Sequence, residues 1–286
     1  MKAPFLSPLQ QKSFQQDGYI VIPNFKSRKD INTLKSRAHE IVSAHDFEYN
    51  NVFFASGASA TDTQNTFQNY FLDSANKIKC FFEQHAFNEQ GELNQPLELS
   101  INKVGHALHD LDPVFDAFSR GGKLADLATC LGVKHPKIWQ SMYIFKQANI
   151  GGQVDWYQDA SFFQTSPSSV ITFWFALDDA TQENGCLWVE RGGHNSPLRG
   201  IFMRQDENTH MQEIDKTPWP SLENAEPLEV KAGTLVCFHG HLPHFSAPNT
   251  SQNPRHAYTL HVTDGLALYS HKNWIQRDDN FPVRGF

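Results

Sequence analysis

The sequence predicts a mainly β protein with flanking α-helices, built around a core of the jelly-roll type. Three observations predict this fold class. From about Lys137 onward the chain consists of short runs rich in β-branched and aromatic residues. These runs end in turn residues, such as Glu183-Asn184-Gly185 and Ala232-Gly233. Helical periodicity is found only earlier in the chain. Many short strands punctuated in this way are typical of a sandwich or barrel.

The first helices have clear start and stop signals. Ser7-Pro8 supplies a helix N-cap followed by proline at the first helical position, and Gly18 is a suitable C-terminal stop. Tyr19–Ile22 follows as a short strand. Apolar residues at helical spacing predict a second helix from about Arg28 to Ala44.

Two further helices are predicted before the β-rich part. One begins at Asp112-Pro113 and ends at Gly132, and the other lies around Ala75–Phe82. The rest of 45–100 is polar and poorly periodic, so it predicts no element. Residues 200–226 form a long polar insertion of the kind that covers active sites. The predicted strands are Ile138–Gln147, Ser169–Leu177, Cys186–Val189, Leu228–Val230, Thr234–Phe238 and His256–Val262.

Length and composition restrict the class of protein. We predict a single domain over residues 1–286, with the β core at about 137–265 and helical support in 1–136. The net charge of −7 and the lack of a basic run argue against nucleic-acid binding. The four cysteines are widely spaced, which favours a reduced compartment. The first residues resemble no signal peptide and no apolar stretch reaches membrane length, so we expect a cytoplasmic protein without a membrane segment.

Three separated residues carry the candidate chemistry. Asp159 ends the segment Trp156-Tyr157-Gln158-Asp159, His244 lies far downstream, and Arg255 follows eleven positions later. This spacing is typical of a mononuclear iron site, in which a carboxylate and histidines occupy one face of Fe(II). Taken singly, an aspartate such as Asp159 more often caps its own turn, and Arg255 could form a surface ion pair.

A second histidine pattern overlaps this site. His239, His241 and His244 come in one run after the strand Thr234–Phe238. Such a cluster is compatible with a three-histidine metal site of a cupin-like hydrolase or isomerase, and also with a solvated loop.

Longer segments resemble the phytanoyl-CoA dioxygenase family of Fe(II)- and 2-oxoglutarate-dependent oxygenases over nearly the full length. The segments that carry the resemblance are Phe14–Tyr19, Ser100–His109, Gln140–Gln147, Asp159–Phe162 and Glu183–Trp188. The resemblance implies a double-stranded β-helix that hydroxylates a small organic or acyl substrate with O₂. It also implies Fe(II) as the cofactor and 2-oxoglutarate as the co-substrate, with ascorbate as an optional reductant.

The resemblance also assigns roles to individual residues. Asp159 and His244 would be metal ligands, and Arg255 would bind the distal carboxylate of 2-oxoglutarate. The residues that would line the co-substrate pocket beside Arg255 are Lys103, Met142, Trp174 and Ser246.

One position departs from the family pattern. The family has His-x-Asp, whereas this chain has Tyr157-Gln158-Asp159. A phenol must lose a proton to bind a metal well, and its ordinary pKa is about 10. Tyr157 itself or a nearby histidine (His106, His109 or His241) could complete the ligand set. Alternatively, the protein binds 2-oxoglutarate but has lost its iron chemistry. An engineered substitution at this position is a further alternative.

Overall fold

The computed structural model describes residues 5–47 and 68–286. It contains a seven-stranded antiparallel sheet in the order β1-β12-β7-β14-β4-β3-β2 and a four-stranded sheet in the order β11-β8-β13-β5. The strands of the large sheet are β1 (Tyr19–Ile22), β2 (Ile78–Phe82), β3 (Ile101–His106), β4 (Pro136–Ile144), β7 (Ile171–Ala176), β12 (Leu235–His239) and β14 (Ala257–Asp264). Those of the small sheet are β5 (Val154–Tyr157), β8 (Leu187–Val189), β11 (Glu226–Leu228) and β13 (His244–Ser246).

Two short pairs of strands stand beside these sheets. They are β6 (Thr165–Ser166) with β15 (Leu268–Tyr269), and β9 (Gly200–Gln205) with β10 (Asn208–Glu213). The described helices are α1 (Pro8–Asp17), α2 (Arg28–Ala44), α3 (Leu97–Ser100), α4 (Leu108–Leu111), α5 (Pro113–Ser119) and α6 (Gly122–Cys130).

Local sequence explains the first two helices, which are confirmed as predicted. In α1, Ser7 caps the helix through Gln10 in a capping box, and Gly18 ends it with the left-handed φ of 84°. In α2, Ser27 and Asp30 form the same kind of box. The apolar stripe of α2 then packs its buried side chains on the large sheet.

The two faces of the large sheet pack against different partners. On the outer face, Leu34 of α2 and Phe115 of α5 join a core cluster with Tyr258 and Leu260 of β14. On the inner face, Ala257 and Trp174 pack with residues of the small sheet, such as Leu187. Side chains alternate along a strand, so Thr259 and His261 also point into the space between the sheets. The fold is therefore a double-stranded β-helix of jelly-roll type, as the sequence predicts.

Two helix predictions require correction. The segment predicted as a helix around Ala75–Phe82 is a single 3₁₀ turn at Ser74–Asn76 followed by β2. Its backbone pairs with β3, and this tertiary pairing outweighs the weak helical pattern. The helix predicted from Asp112 to Gly132 is broken into α5 and α6. The break falls at Gly121, whose φ of 131° is incompatible with a continuous helix.

The sheets also contain strands that the sequence did not predict. They are β3 with six residues, the shorter β5 and β13, and the hairpin of β9 and β10 inside the insertion predicted at 200–226. Strands β1, β2 and β3 bring residues from the predicted helical support into the large sheet, which therefore extends beyond 137–265. None of the helices described for this chain has the length and apolar character to cross a membrane.

Candidate active site

The structure brings Asp159 and His244 together between the two sheets. Strands β5 and β13 pair antiparallel, with Tyr157 opposite His244. Asp159 follows β5 and begins a 3₁₀ turn, Asp159–Ser161. Its Oδ1 lies 3.8 Å from His244 Nε2, and both residues are buried. Two residues that are 85 positions apart in the chain (244 − 159) therefore share one polar site.

The imidazole of His244 is oriented with one nitrogen toward the site. Its Nδ1 donates to the carbonyl of Leu242 at 3.0 Å, so Nε2 is left facing Asp159. Burial lowers the pKa of His244, although the charge of Asp159 acts in the opposite direction. A neutral imidazole that donates its other N–H to a carbonyl has the arrangement of a metal-binding histidine.

Asp159 is held by two neighbouring strands. Thr172 of β7 donates its hydroxyl to Oδ2, and His261 Nε2 of β14 lies 3.3 Å from Oδ1. Burial by itself would raise the pKa of Asp159, but His261, His244 and Thr172 together lower it to about 2. The group is thus a carboxylate at neutral pH, with its oxygens available to a cation.

Arg255 is a buried cation whose hydrogen bonds are incomplete. Its Nη2 donates to Ser246 Oγ at 3.4 Å, while Nε and Nη1 have no partner among the described residues. The guanidinium carbon lies 5.4 Å from the ring centre of Trp174. Burial lowers the pKa of Arg255 to about 10, so it is still charged at neutral pH. Buried charged donors are normally paired, and this geometry suits a carboxylate ligand.

The other predicted pocket residues lie on strands of both sheets, three on the large sheet and Ser246 on the small one. In the register of the large sheet, Met142 and Trp174 both pair with Thr259, on either side of β14. Lys103 is on β3 next to β4, and Ser246 is on β13, where it contacts Arg255. Burial lowers the pKa of Lys103 to about 8, which leaves it mostly protonated at pH 7.

The surroundings of this pocket are rich in positive charge. Lys146 is buried, donates to the carbonyl of Gly152 at 2.6 Å, and has its pKa lowered to about 7 by burial and by Arg255. Glu83 is a nearby anion that influences Lys103, Lys146 and Arg255. Arg255, Lys103 and the partly protonated Lys146 around one carboxylate favour binding of an anion.

Tyr157 contacts the site but is a poor metal donor in this state. Its ring centre lies 4.0 Å from that of His244. Burial and the charge of Asp159 both raise the pKa of Tyr157 well above its ordinary value, so the phenol is neutral. Within 5–47 and 68–286, no three His, Cys, Asp or Glu side chains are arranged to hold a metal ion together. Among the described residues, Asp159 and His244 supply a carboxylate and an imidazole whose nearest polar atoms lie 3.8 Å apart.

The alternative histidines are engaged elsewhere. His109 contacts Ser141 Oγ at 2.8 Å and the Ile138 carbonyl at 3.1 Å, so both of its nitrogens are used. His106 Nδ1 lies 2.7 Å from Ser74 Oγ. His241 Nε2 lies 3.1 Å from Ser168 Oγ. None of these contacts is to Asp159 or His244.

The predicted cluster of His239, His241 and His244 does not form one site. His239 and His241 have ring centres 5.4 Å apart, and His239 also contacts His194 at 5.5 Å. His244 instead turns inward to Asp159, after Pro243. The three-histidine site proposed for a hydrolase or isomerase is therefore not supported.

Sequence reasoning missed His261 and Thr172, which contact the Asp159 carboxylate in addition to His244. A usable signal was present for His261. Arg255, Ala257, Thr259 and His261 are at alternate positions, so the strand that begins beside Arg255 directs all of them to one face. No local pattern marks Thr172, whose role depends on its pairing with His261 across β7 and β14.

Aromatic side chains border the site beyond Asp159. Phe162 lies at 6.1 Å from Tyr157 and at 5.2 Å from Phe202, measured between ring centres. Phe202 belongs to β9, in the segment predicted to cover the active site. The hairpin thus places an apolar ring over the turn that carries Asp159.

The double-stranded β-helix with an acidic residue, an imidazole and a buried guanidinium between its sheets agrees with an oxidoreductase of the dioxygenase class, which the family match and the relatives show. The profile of the family described as Phytanoyl-CoA dioxygenase (PhyH) matches residues 14–257, and the chain belongs to this family. It is 44% identical to "Phytanoyl-CoA dioxygenase" of Arabidopsis thaliana over 276 residues, covering 95% of this chain and 94% of that one. It is 37% identical to "Phytanoyl-CoA dioxygenase domain-containing protein 1" of Bos taurus, covering 97% of each chain.

Solved structures share the fold at low sequence identity. One is the non-heme alpha ketoglutarate dependent carbocyclase SnoK from nogalamycin biosynthesis, with a TM-score of 0.63, 14% identity and 99% of each chain covered. Another is EctD from S. alaskensis with 2-oxoglutarate and 5-hydroxyectoine, with a TM-score of 0.61 and 19% identity. That match covers 92% of this chain and 78% of the other. These likenesses agree with the double-stranded β-helix described above.

Proposed function

We propose that this protein is an Fe(II)- and 2-oxoglutarate-dependent dioxygenase that hydroxylates a small organic or acyl substrate. The single observation that carries the proposal is the buried guanidinium of Arg255. Its Nε and Nη1 have no partner in the described part of the chain. Asp159 and His244 lie in the same space between the sheets. A cation left in this condition is best explained by a carboxylate ligand.

The residues present fit the two groups that such an enzyme uses. Asp159 and His244 would hold the metal, because a carboxylate and a neutral imidazole are donors that Fe(II) accepts. Arg255 would hold the far carboxylate of 2-oxoglutarate, with Ser246 and Trp174 fixing the guanidinium. Lys103 would add positive charge to the same pocket.

Bound Fe(II) would supply the oxidative chemistry, in which O₂ converts 2-oxoglutarate to succinate and CO₂ while a substrate C–H bond is hydroxylated. The chain's own residues bind, orient and exclude water. Arg255 would hold one carboxylate of the dicarboxylate, and Asp159 and His244 would hold the metal in the same space between the sheets. Phe162 and Phe202 shield the turn of Asp159 with apolar surface.

Turnover of labelled 2-oxoglutarate tests this proposal. The purified protein is incubated with Fe(II), ascorbate, O₂ and a panel of small organic and acyl substrates, and succinate is measured. We expect succinate from the wild type and from His241→Ala, since His241 is engaged by Ser168 away from Asp159. His244→Ala should abolish it. Succinate no higher than in the His244→Ala control, across the whole panel, would contradict the proposal.

A second function is favoured by one specific observation, the neutral phenol of Tyr157 beside His244. With only two metal donors, the protein could bind 2-oxoglutarate as a family member without iron chemistry. In that case 2-oxoglutarate should raise the melting temperature even with a chelator present, and Fe(II) should add nothing. A large additional shift with Fe(II) would exclude this second function.

A further inference from the structure

We propose that His261 is a positioning residue that fixes the Asp159 carboxylate for metal binding. The inference rests on the proposed function, since it concerns the metal site of that activity. It assigns a role to the inner face of β14, in addition to that of Arg255, which precedes the strand. The geometry of the two imidazoles next to Asp159 carries the argument.

His261 is buried, and its polar contact with Asp159 offsets the cost of burying the imidazole. It is 4% exposed, and its Nε2 lies 3.3 Å from Asp159 Oδ1. Its Nδ1 has no hydrogen-bond partner among the described residues. A buried imidazole loses its hydration, so the contact with Asp159 is the polar interaction that compensates this loss.

The ring of His261 is held in a fixed orientation. It stacks on Phe163 with a centre-to-centre distance of 4.9 Å and an interplanar angle of 18°. Its Cα pairs with that of Thr172 across β14 and β7. Thr172 donates to Oδ2 of Asp159 while His261 contacts Oδ1, so two neighbouring residues of one sheet clamp both oxygens.

The two histidines next to Asp159 differ in the role that their nitrogens permit. A metal-binding histidine nearly always donates its other N–H to an acceptor. His244 satisfies this condition, since its Nδ1 donates to Leu242 O at 3.0 Å. If His261 Nε2 bound the metal, Nδ1 would have to carry a proton that has no acceptor in the described part of the chain. If Nε2–H donates to Asp159, Nδ1 is a bare acceptor, which is less costly than an unmet donor.

A clamp of this kind matters more at a site with few donors. In the proposed metal site Asp159 and His244 lie 3.8 Å apart, and a misplaced carboxylate would remove one donor of this pair. Loss of a group that orients a metal ligand weakens metal affinity by about 10–100-fold.

Co(II) titration of the full-length protein, followed by absorption spectroscopy and calorimetry, tests the inference. We expect His261→Leu to weaken Co(II) binding by about 10–100-fold. His261→Gln should recover most of the affinity, because its amide nitrogen can donate from a position near Nε2. The matched control is His256→Leu, which removes another buried imidazole, one that faces Tyr143 at 2.7 Å, and should leave Co(II) affinity unchanged.

A count of bound imidazoles separates positioning from ligation. Pulsed EPR of the Cu(II)-loaded wild type should show one coupled imidazole, that of His244, and the same count in His261→Gln. Two coupled imidazoles in the wild type would overturn the inference, as would Co(II) affinity in His261→Leu equal to that of the wild type. Neither of these two outcomes would contradict the proposed function. A wild type that binds no Co(II) would overturn the proposed function, and the inference with it.

Discussion

Replacement of Arg255 by methionine should have opposite effects on ligand binding and on the stability of the ligand-free protein. Methionine retains apolar packing against Trp174 but removes a buried charge whose Nε and Nη1 are unpaired within the described residues. Replacing even a complete buried ion pair by apolar residues of similar volume is often neutral or stabilises a protein by about 1–4 kcal/mol, so removing an incompletely paired charge should not destabilise it. The free energy of unfolding without ligand should therefore stay unchanged or increase.

The effect on 2-oxoglutarate should be large. Truncating one partner of a buried charge pair costs about 2–5 kcal/mol, which corresponds to roughly 30- to 5,000-fold weaker binding. Isothermal titration under anaerobic conditions measures this affinity, and urea denaturation measures the stability. Arg191→Met is the matched control, because it removes the same charge from an exposed arginine paired with Glu226.

A structural role for Arg255 would produce the reverse pattern. Arg255→Met would then unfold more easily than the wild type and bind 2-oxoglutarate with the same affinity. That combination would refute the conclusion that the guanidinium is kept for a carboxylate ligand.

Three further changes test other parts of the structure. Tyr157→His should tighten Co(II) binding at least about tenfold, because even groups that only orient metal ligands change metal affinity by about 10–100-fold. Equal Co(II) affinity of this variant and the wild type in calorimetry would show that position 157 does not reach the metal. Burial lowers the pKa of Lys146 from 10.5 to about 7, so between these pH values the unfolded chain binds more protons at this residue and its contribution to the free energy of unfolding should rise with pH. Urea denaturation at several pH values should therefore show the stability of the wild type rising relative to that of Lys146→Met, and a difference between the two proteins that does not change with pH would count against it. Leu34→Ala should lower the free energy of unfolding by about 2–5 kcal/mol because Leu34 is fully buried. The exposed Leu9→Ala should change it by less than about 0.5 kcal/mol in the same assay.

Local signals in the sequence were sufficient where an element is defined by its own residues. Ser7-Pro8 and Gly18 delimit α1 because the cap and the left-handed stop act within one helical turn. The periodicity of α2 identified its buried face for the same reason. The sequence also predicted the jelly-roll class, and the family resemblance placed Asp159, His244 and Arg255 together.

Tertiary structure decided what depends on partners far away in the chain. Strand β2 follows a weak helical pattern in sequence but pairs with β3, and β13 is a strand only because β5 and β8 lie on either side of it. The same holds for the site. The sequence alone shows a phenol at position 157, whereas only the packed sheets bring Thr172 and His261 to the two oxygens of Asp159. Pairing between strands is a long-range interaction, so no short stretch of sequence encodes this clamp.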